Sequence, residues 1–406
     1  MRRVARILLL LLAFTVPWEY SADFGAPWGN VSRVAGVLLL LAAVPAVLRA
    51  GRIRVPGVMQ VLVLAFYLWC CFSAFWTIDQ AVTLTALRSY FQEMMIVWLV
   101  WEFADSSHDL RALLRAFLAG CWILAILTVV DFRSPDTMAA VQFRFAAYGQ
   151  DPNDVARFLD LGFPFAALLA GAEARLGDRL LGLGYLPLGI IGVLLTASRG
   201  GFLAAAVALA GCAALISREN PKAAMVGLFL FPPLAAGLWM TIPREIYNRL
   251  ATIPEQLRGG DLNQRLNIWT AGWHGFLNAP ILGSGAGTFV AAAHLAPIDT
   301  AHNTELSILV GGGLIGLFLA SAILVSAFRL LQRTSGSLRL SFLLTLLVWI
   351  VASLVGTVEE NRVTWLLFAM IALAARLADE APEELAVCFP DLPSNHPQLA
   401  RAAVKA

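Results

Sequence analysis

The sequence predicts an all-α, polytopic membrane protein of about twelve transmembrane helices carrying one helical loop outside the bundle. First, 59% of its 406 residues are hydrophobic and only 14% are charged, whereas a soluble globular domain carries about 25% charge. Second, the apolar residues gather in runs near the length of about 20 that crosses a bilayer, and the mean hydropathy is +0.74. Third, basic residues recur in every second connection between those runs. A chain this poor in charge cannot cover a soluble surface, which excludes a secreted enzyme, a disordered protein and a soluble nucleotide-binding domain.

The runs lie near 7–20, 34–48, 56–75, 84–103, 113–130, 155–173, 180–197, 202–217, 223–242, 304–328, 340–356 and 363–378. The first follows Arg2, Arg3 and Arg6 and so resembles a signal peptide. It lacks a small-residue cleavage site, and Pro17-Trp18-Glu19 suits a retained span better. Arg49, Arg52, Arg54, Arg111, Arg115, Arg175, Arg179, Arg218, Lys222, Arg329, Arg333 and Arg339 mark alternate connections. The positive-inside rule makes that side the cytoplasm. Residues 1–378 then form a single transmembrane domain with a periplasmic loop at 243–303, and 379–406 form a partly disordered cytoplasmic tail. The five cysteines show neither metal-ligand spacing nor a disulfide framework, and only Lys222 and Lys405 among the basic residues are lysine.

Chemistry is sought where arginine stands on the disfavoured side. Arg33, Arg88, Arg133, Arg144, Arg157, Arg199, Arg244, Arg249, Arg258, Arg265 and Arg362 fall at or near the non-cytoplasmic face. Arg199 is the sharpest of them. It sits in Ser198-Arg199-Gly200-Gly201, a very short break between two runs. There it is either a snorkelling side chain that closes a turn or a fixed cation awaiting an anion, and the glycines admit close approach to the backbone. Arg265 and Trp269 are four residues apart and share a helical face. Pro280-Ile281-Leu282-Gly283-Ser284-Gly285-Ala286-Gly287 mimics a dinucleotide fingerprint, but no strand precedes it and Thr288 replaces the third glycine. A turn that folds the loop back on the bundle fits better. His302-Asn303 enters a glycine-rich span in which Gly312 and Gly316 make a close-packing pair. His302 alone reads as a structural hydrogen-bonder or a base. A metal site at His294, Asp299 and His302 fits no helix face. Arg144 leads into Pro152-Asn153, a helix start. No Asp-x-Asp or other paired-acid motif is read on this face, so metal-free chemistry is the simpler expectation.

In their order, these elements resemble the O-antigen ligase superfamily: an arginine followed by Gly-x-x-Pro-Asn, a Ser-Arg-Gly break, an Arg-x-x-x-Trp helix, a Pro-x-x-Gly-x-Gly turn, and His-Asn before a glycine-rich span. They cover about 144–316. The resemblance implies a membrane glycosyltransferase of the bacterial inner membrane with its active site facing the periplasm. It implies an undecaprenyl-pyrophosphate-linked glycan as donor and lipid A-core oligosaccharide as acceptor, with membrane lipids as surroundings and no nucleic-acid partner. It carries catalytic roles onto Arg199, Arg265 and His302, and substrate contacts onto Arg144, Asn153, Trp269 and Asn303. The expected chemistry has arginine forks neutralise a departing pyrophosphate without metal or other cofactor and His302 either take the acceptor proton or position the acceptor, with a direct single displacement inverting the anomeric centre. The alternatives are an O-antigen or exopolysaccharide polymerase, with the same chemistry, and a lipid-glycan transporter. The charges gather at one face and no inverted repeat is visible, which disfavours transport.

Overall fold

In the computed structural model, residues 1–390 are described apart from Pro27, Asp136, 172–173, 261–263 and Ile298. The described residues form helices and no β-strand. The long helices are α1 (Arg2–Thr15, continued by a 3-10 segment, Val16–Ser21), α2 (Val31–Ala50), α3 (Val58–Phe72), α4 (Gln80–Phe103) and α5 (Ser107–Arg133). After the short α6 (Thr137–Gln142) come α7 (Pro152–Leu169), α8 (Leu176–Leu195), α9 (Arg199–Glu219) and α10 (Pro221–Thr241). Four short helices follow: α11 (Arg244–Ala251), α12 (Ile253–Gly259), α13 (Arg265–Asn278) and α14 (Phe289–Ala292). The chain closes with α15 (Thr304–Leu331), α16 (Gly336–Ser353), α17 (Arg362–Glu380) and α18 (Pro382–Cys388). Each of the twelve apolar runs is a helix, and the segment 243–303 holds the short helices α11–α14 joined by turns. The polytopic all-α reading therefore holds. Of the tail expected to be partly disordered, 379–406, the described part continues α17 to Glu380 and forms α18 to Cys388, and 391–406 lie outside the described residues.

Among the described residues, nine helical segments are long and apolar enough to cross a membrane by themselves. The other three long helices, α4, α7 and α17, are rich in charge for a physical reason. Every residue of α7 from Val155 to Leu169 and of α17 from Val363 to Leu377 is buried, including Arg157, Asp160 and Arg376. These two are the interior of the bundle and face protein rather than lipid, so side chains that lipid would reject are tolerated. At the other extreme, α10 buries none of its apolar residues against the protein.

The two ends of the bundle differ in how they treat arginine. At the end holding the N-terminus, Arg2 meets Glu102 at 2.9 Å, Arg54 meets Asp105 at 2.5 Å, Arg115 meets Asp178 at 2.6 Å and Arg333 meets Asp379 at 2.6 Å. The opposite end carries α11–α14 and is dished. There Arg362, the first residue of α17, pairs with Glu19 and donates to Gln92 of α4 at 3.3 Å. Gln92 lies about 18 Å along α4 from its start at Gln80, at 1.5 Å per residue. The connection between α16 and α17 is thus sunk well below that end of α4. Thr304 stitches this connection to α15, donating to the Gly356 carbonyl at 2.8 Å and accepting from the Val358 amide at 2.8 Å.

The glycine-rich turn folds the loop back on the bundle, as the sequence suggests, by backbone pairing. The Ser284 and Gly285 amides donate to the Val310 and Gly311 carbonyls at 2.9 Å each, and the Leu314 amide donates to Pro280 at 2.9 Å. Helix α15 opens for this at Gly313, whose φ of 65° and ψ of −166° suit glycine almost alone. The Trp69 indole of α3 donates to the Gly312 carbonyl at 2.8 Å. A Cβ on Gly313 would stand 2.6 Å from the Gly283 nitrogen. The Gly313→Ala variant is therefore expected to lose about 1–3 kcal/mol from backbone conformation alone, besides the clash. This is read as a lower thermal midpoint of the purified protein in detergent; an unchanged midpoint would show that the kink is not required.

Candidate functional site

At the dished end, three short breaks meet. The first is the segment 143–151 leading into α7. Asp151 caps α7 by accepting from the Asn153 amide at 2.7 Å, and Pro152 supplies the fixed φ of a first helical residue. The second is the α8–α9 break, where Ser198 caps α9 by accepting from the Gly201 amide at 3.2 Å. A Cβ on Gly201 would collide with Ala156, so glycine lets α9 lie close against α7. Asn153 joins the two breaks, its Oδ1 accepting from Arg144 at 2.8 Å and from the Ser198 hydroxyl at 2.9 Å. Arg144 also donates to the Thr196 carbonyl at 3.3 Å. The third is the loop carrying α11–α13. Arg249 donates through Nε to the Ala197 carbonyl at 3.1 Å, and Arg199 donates to the Thr252 hydroxyl at 3.1 Å.

Between them lies a cavity of about 140 Å³, lined by Asn153, Arg199, Gly200, Leu203, Arg249, Ile253, Gln256, Arg265, Trp269 and Val355. Arg199, Arg265, Asn153 and Trp269, all singled out from sequence, share its wall. None of Arg144, Arg199, Arg249 and Arg265 forms an ion pair among the described residues. Burial lowers the pKa of Arg144, Arg249 and Arg265, and the nearby arginine charges press the same way. Such an array is electrostatically unfavourable while vacant and is stabilised by an anion.

His302 and Asn303 are placed beside the cavity, not on its wall. The indole of Trp269 donates to the Ala301 carbonyl at 3.0 Å and so ties the cavity wall to the residue before His302. The His302 Nδ1 lies 3.2 Å from the Thr300 hydroxyl. In the tautomer whose Nδ1–H donates to Thr300, the Nε2 lone pair is left for a substrate proton. Burial first, then the charges of Arg265 and Arg157, hold this imidazole below its ordinary pKa, against the smaller pull of Asp151 and Asp299. Asn303 caps α15, accepting from the Leu306 amide at 2.7 Å and donating to the Leu354 carbonyl at 3.2 Å. Both its polar atoms are engaged by the protein.

Backbone strain marks the same places. Among the described residues, five non-glycine residues have positive φ: Phe143, Ala197, Gln264, His294 and His302. Three of them immediately precede Arg144, Ser198-Arg199 and Arg265, and a fourth is His302 itself. Left-handed backbone costs about 1–3 kcal/mol at a non-glycine residue and persists where a site needs it.

Sequence reasoning passed over two contributors. Arg249 belongs to the disfavoured-side arginines, but no motif surrounds it. Arg157 pairs with Asp154 and packs on Gly356 behind the site. One reading needs correction: a pair of acids does stand at this end. Glu359 and Glu360 follow α16, and Glu359 is buried beside the hydroxyls of Thr304 and Ser307, where burial and the charge of Glu360 push its carboxyl up to about 8. Among the described residues no group of three or more His, Cys, Asp or Glu side chains is arranged to hold a metal ion, His294, Asp299 and His302 included.

A family model described as O-antigen ligase matches residues 184–321. The matched segment holds Arg199, Arg265, Trp269, His302, Asn303 and the Gly312–Gly316 stretch; Arg144 and Asn153 precede it. No curated protein matches the chain. Over this segment, about a third of its length, the chain is similar to the O-antigen ligase family.

Proposed function

We propose that the protein transfers a glycan from undecaprenyl pyrophosphate to a sugar hydroxyl at the periplasmic face of the inner membrane, ligating O-antigen to lipid A-core. The observation that carries this reading is the contrast between the two ends of the bundle. At one end Arg2, Arg54, Arg115 and Arg333 are each matched by an acid. At the other, Arg199, Arg249 and Arg265 wall a cavity with no acid paired to them among the described residues. A lipid-linked pyrophosphate supplies the missing anion and its own activation, in a compartment without nucleotide triphosphates.

In this reading Arg199 and Arg265 grip the two phosphoryl groups and neutralise the charge that develops as the bond from the anomeric carbon to oxygen breaks. His302 Nε2 removes the proton of the acceptor hydroxyl as its oxygen bonds to the anomeric carbon. The electron pair of the broken bond leaves on the pyrophosphate, the proton resides on the imidazole, and the configuration inverts. Asn153 holds Arg144 and Ser198 in register, and Trp269 fixes the His302 segment to the cavity wall.

The test is transfer by purified protein in lipid vesicles, given one lipid-linked donor and two acceptors side by side. One acceptor is lipid A-core, the other a second lipid-linked repeat. The expected product is glycosylated lipid A-core, with undiminished rate in a chelator. Lengthening of the lipid-linked glycan alone would make the protein a polymerase, and loss of activity restored by a divalent ion would reject the metal-free reading. Sidedness is read by reporter fusions at 260 and 335, expected periplasmic and cytoplasmic respectively.

A further inference from the structure

The cations of this site outnumber one pyrophosphate. Arg199, Arg249 and Arg265 line the cavity, and Arg144 stands one hydrogen bond behind it on Asn153. Among the described residues Asp151 stands against them, engaged as the cap of α7, while Asp154 is taken up by Arg157. A pyrophosphate diester carries roughly two negative charges, one for each phosphoryl group. Three guanidiniums on the wall and Arg144 behind it, set against that ligand and one carboxylate, leave about one cation unmatched among the described residues. Holding like charges together in a half-buried site is unfavourable, so the surplus calls for a second anion.

Arg249 differs from the other cavity arginines in place and attachment. It rises from α11, outside the spanning helices. Its Nε is committed to the Ala197 carbonyl at 3.1 Å, which fixes the guanidinium plane and leaves its terminal amino groups for a ligand. Gln256, on α12, shares the wall with it and can donate its side-chain amide to the same group. A planar fork beside an amide suits a phosphate or a carboxylate.

We propose that Arg249, with Gln256, forms a second anion subsite that recognises an acidic substituent, a phosphate or a carboxylate, on a sugar next to the bond being made. This rests on the transfer reading above, and it sets which saccharides the site prefers. The substituent sits on the acceptor or on the first sugar of the donor glycan, and the chemistry of recognition is the same in both.

The experiment compares matched substrates with purified protein in lipid vesicles. In one arm the acceptor saccharide carries or lacks a phosphate or uronate carboxylate; in the other the donor glycan does. Wild type is expected to favour the acidic substrate in one arm by about tenfold or more in kcat/KM, which also tells where the group sits. Arg249→Gln should bring that ratio close to one, and Arg249→Lys should keep part of it. Equal use of acidic and neutral substrates by wild type in both arms overturns the proposal. So does an Arg249→Gln variant that slows both substrates alike, because Arg249 then serves the pyrophosphate. A binding arm separates this from the transfer reading: uronate-terminated and neutral oligosaccharides are titrated calorimetrically into wild type and Arg249→Gln. Selective binding by wild type that the variant loses supports the subsite even if no glycan is transferred. Equal binding by the two proteins overturns it.

Discussion

Replacing Arg199 or Arg265 by alanine is expected to lower glycan transfer by about 10²–10³ each, the usual effect of removing one donor aimed at developing negative charge. The protein should remain in the membrane at wild-type level, because among the described residues neither side chain is paired to an acid that truncation would orphan. Arg199 gives up one hydrogen bond to Thr252, and Arg265 gives up no hydrogen bond among the described residues. Lysine at either position should restore little, since one ammonium cannot reproduce a planar fork. The contrast lies at the other end of the bundle. Arg115→Ala strips a partner from buried Asp178, and there the amount of folded protein should fall. Initial rates and membrane levels of these variants, measured together, decide the matter; near-normal transfer by both Arg199→Ala and Arg265→Ala would remove the pyrophosphate grip.

The second large effect is at His302. His302→Ala should lower turnover by about 10²–10⁴, the range for a general base, with donor binding changed much less. The pH profile carries a sign. A base must be neutral to work, and burial together with Arg265 and Arg157 lowers this imidazole's pKa from 6.5. The rate should therefore hold at neutral pH and fall on an acid limb lying below 6.5. Asp151 pulls the other way, so Asp151→Asn, which keeps a residue able to cap α7, should move the limb to still lower pH. An acid limb unmoved by Asp151→Asn, or a His302→Ala enzyme with wild-type turnover, would return His302 to a structural role.

Much of this architecture is legible in the sequence, because membrane spans announce themselves by length and apolarity. The twelve helices were readable even where charge interrupts them, since Asp154, Arg157 and Asp160 in α7 sit within an otherwise apolar run. What sequence cannot supply is which helices are interior; burial of α7 and α17 depends on neighbours distant in the chain. The convergence of Arg199 and Arg265 was legible because each, in the expected topology, breaks the positive-inside rule inside a local motif. Arg249 breaks the same rule, but it lies on an eight-residue helix with no signature, and only the Ala197 carbonyl reveals its place. The capping role of Asn303 had a local signal, an Asn directly before an apolar helix, that competes with a reading as substrate contact. The pairing of Gly283–Gly285 with Gly311–Gly313 joins two glycine runs that each looked self-sufficient in sequence.

The interior position of α7 bears on how the chain is made. Asp160 is fully buried, and on insertion scales an acidic residue or an arginine at the centre of a span costs about 2.5–3.5 kcal/mol. Helix α7 carries Asp154, Arg157 and Asp160 within its 18 residues, so during synthesis it is a poor candidate to leave the translocon alone into lipid. Its natural companions are α8 and α9, which follow within a few residues and pack against it. Biogenesis should therefore be cooperative here, with α7 retained at the translocon until α8 and α9 emerge and the three partition together. Helix α10, apolar on all sides, needs no such help and can enter lipid unaided.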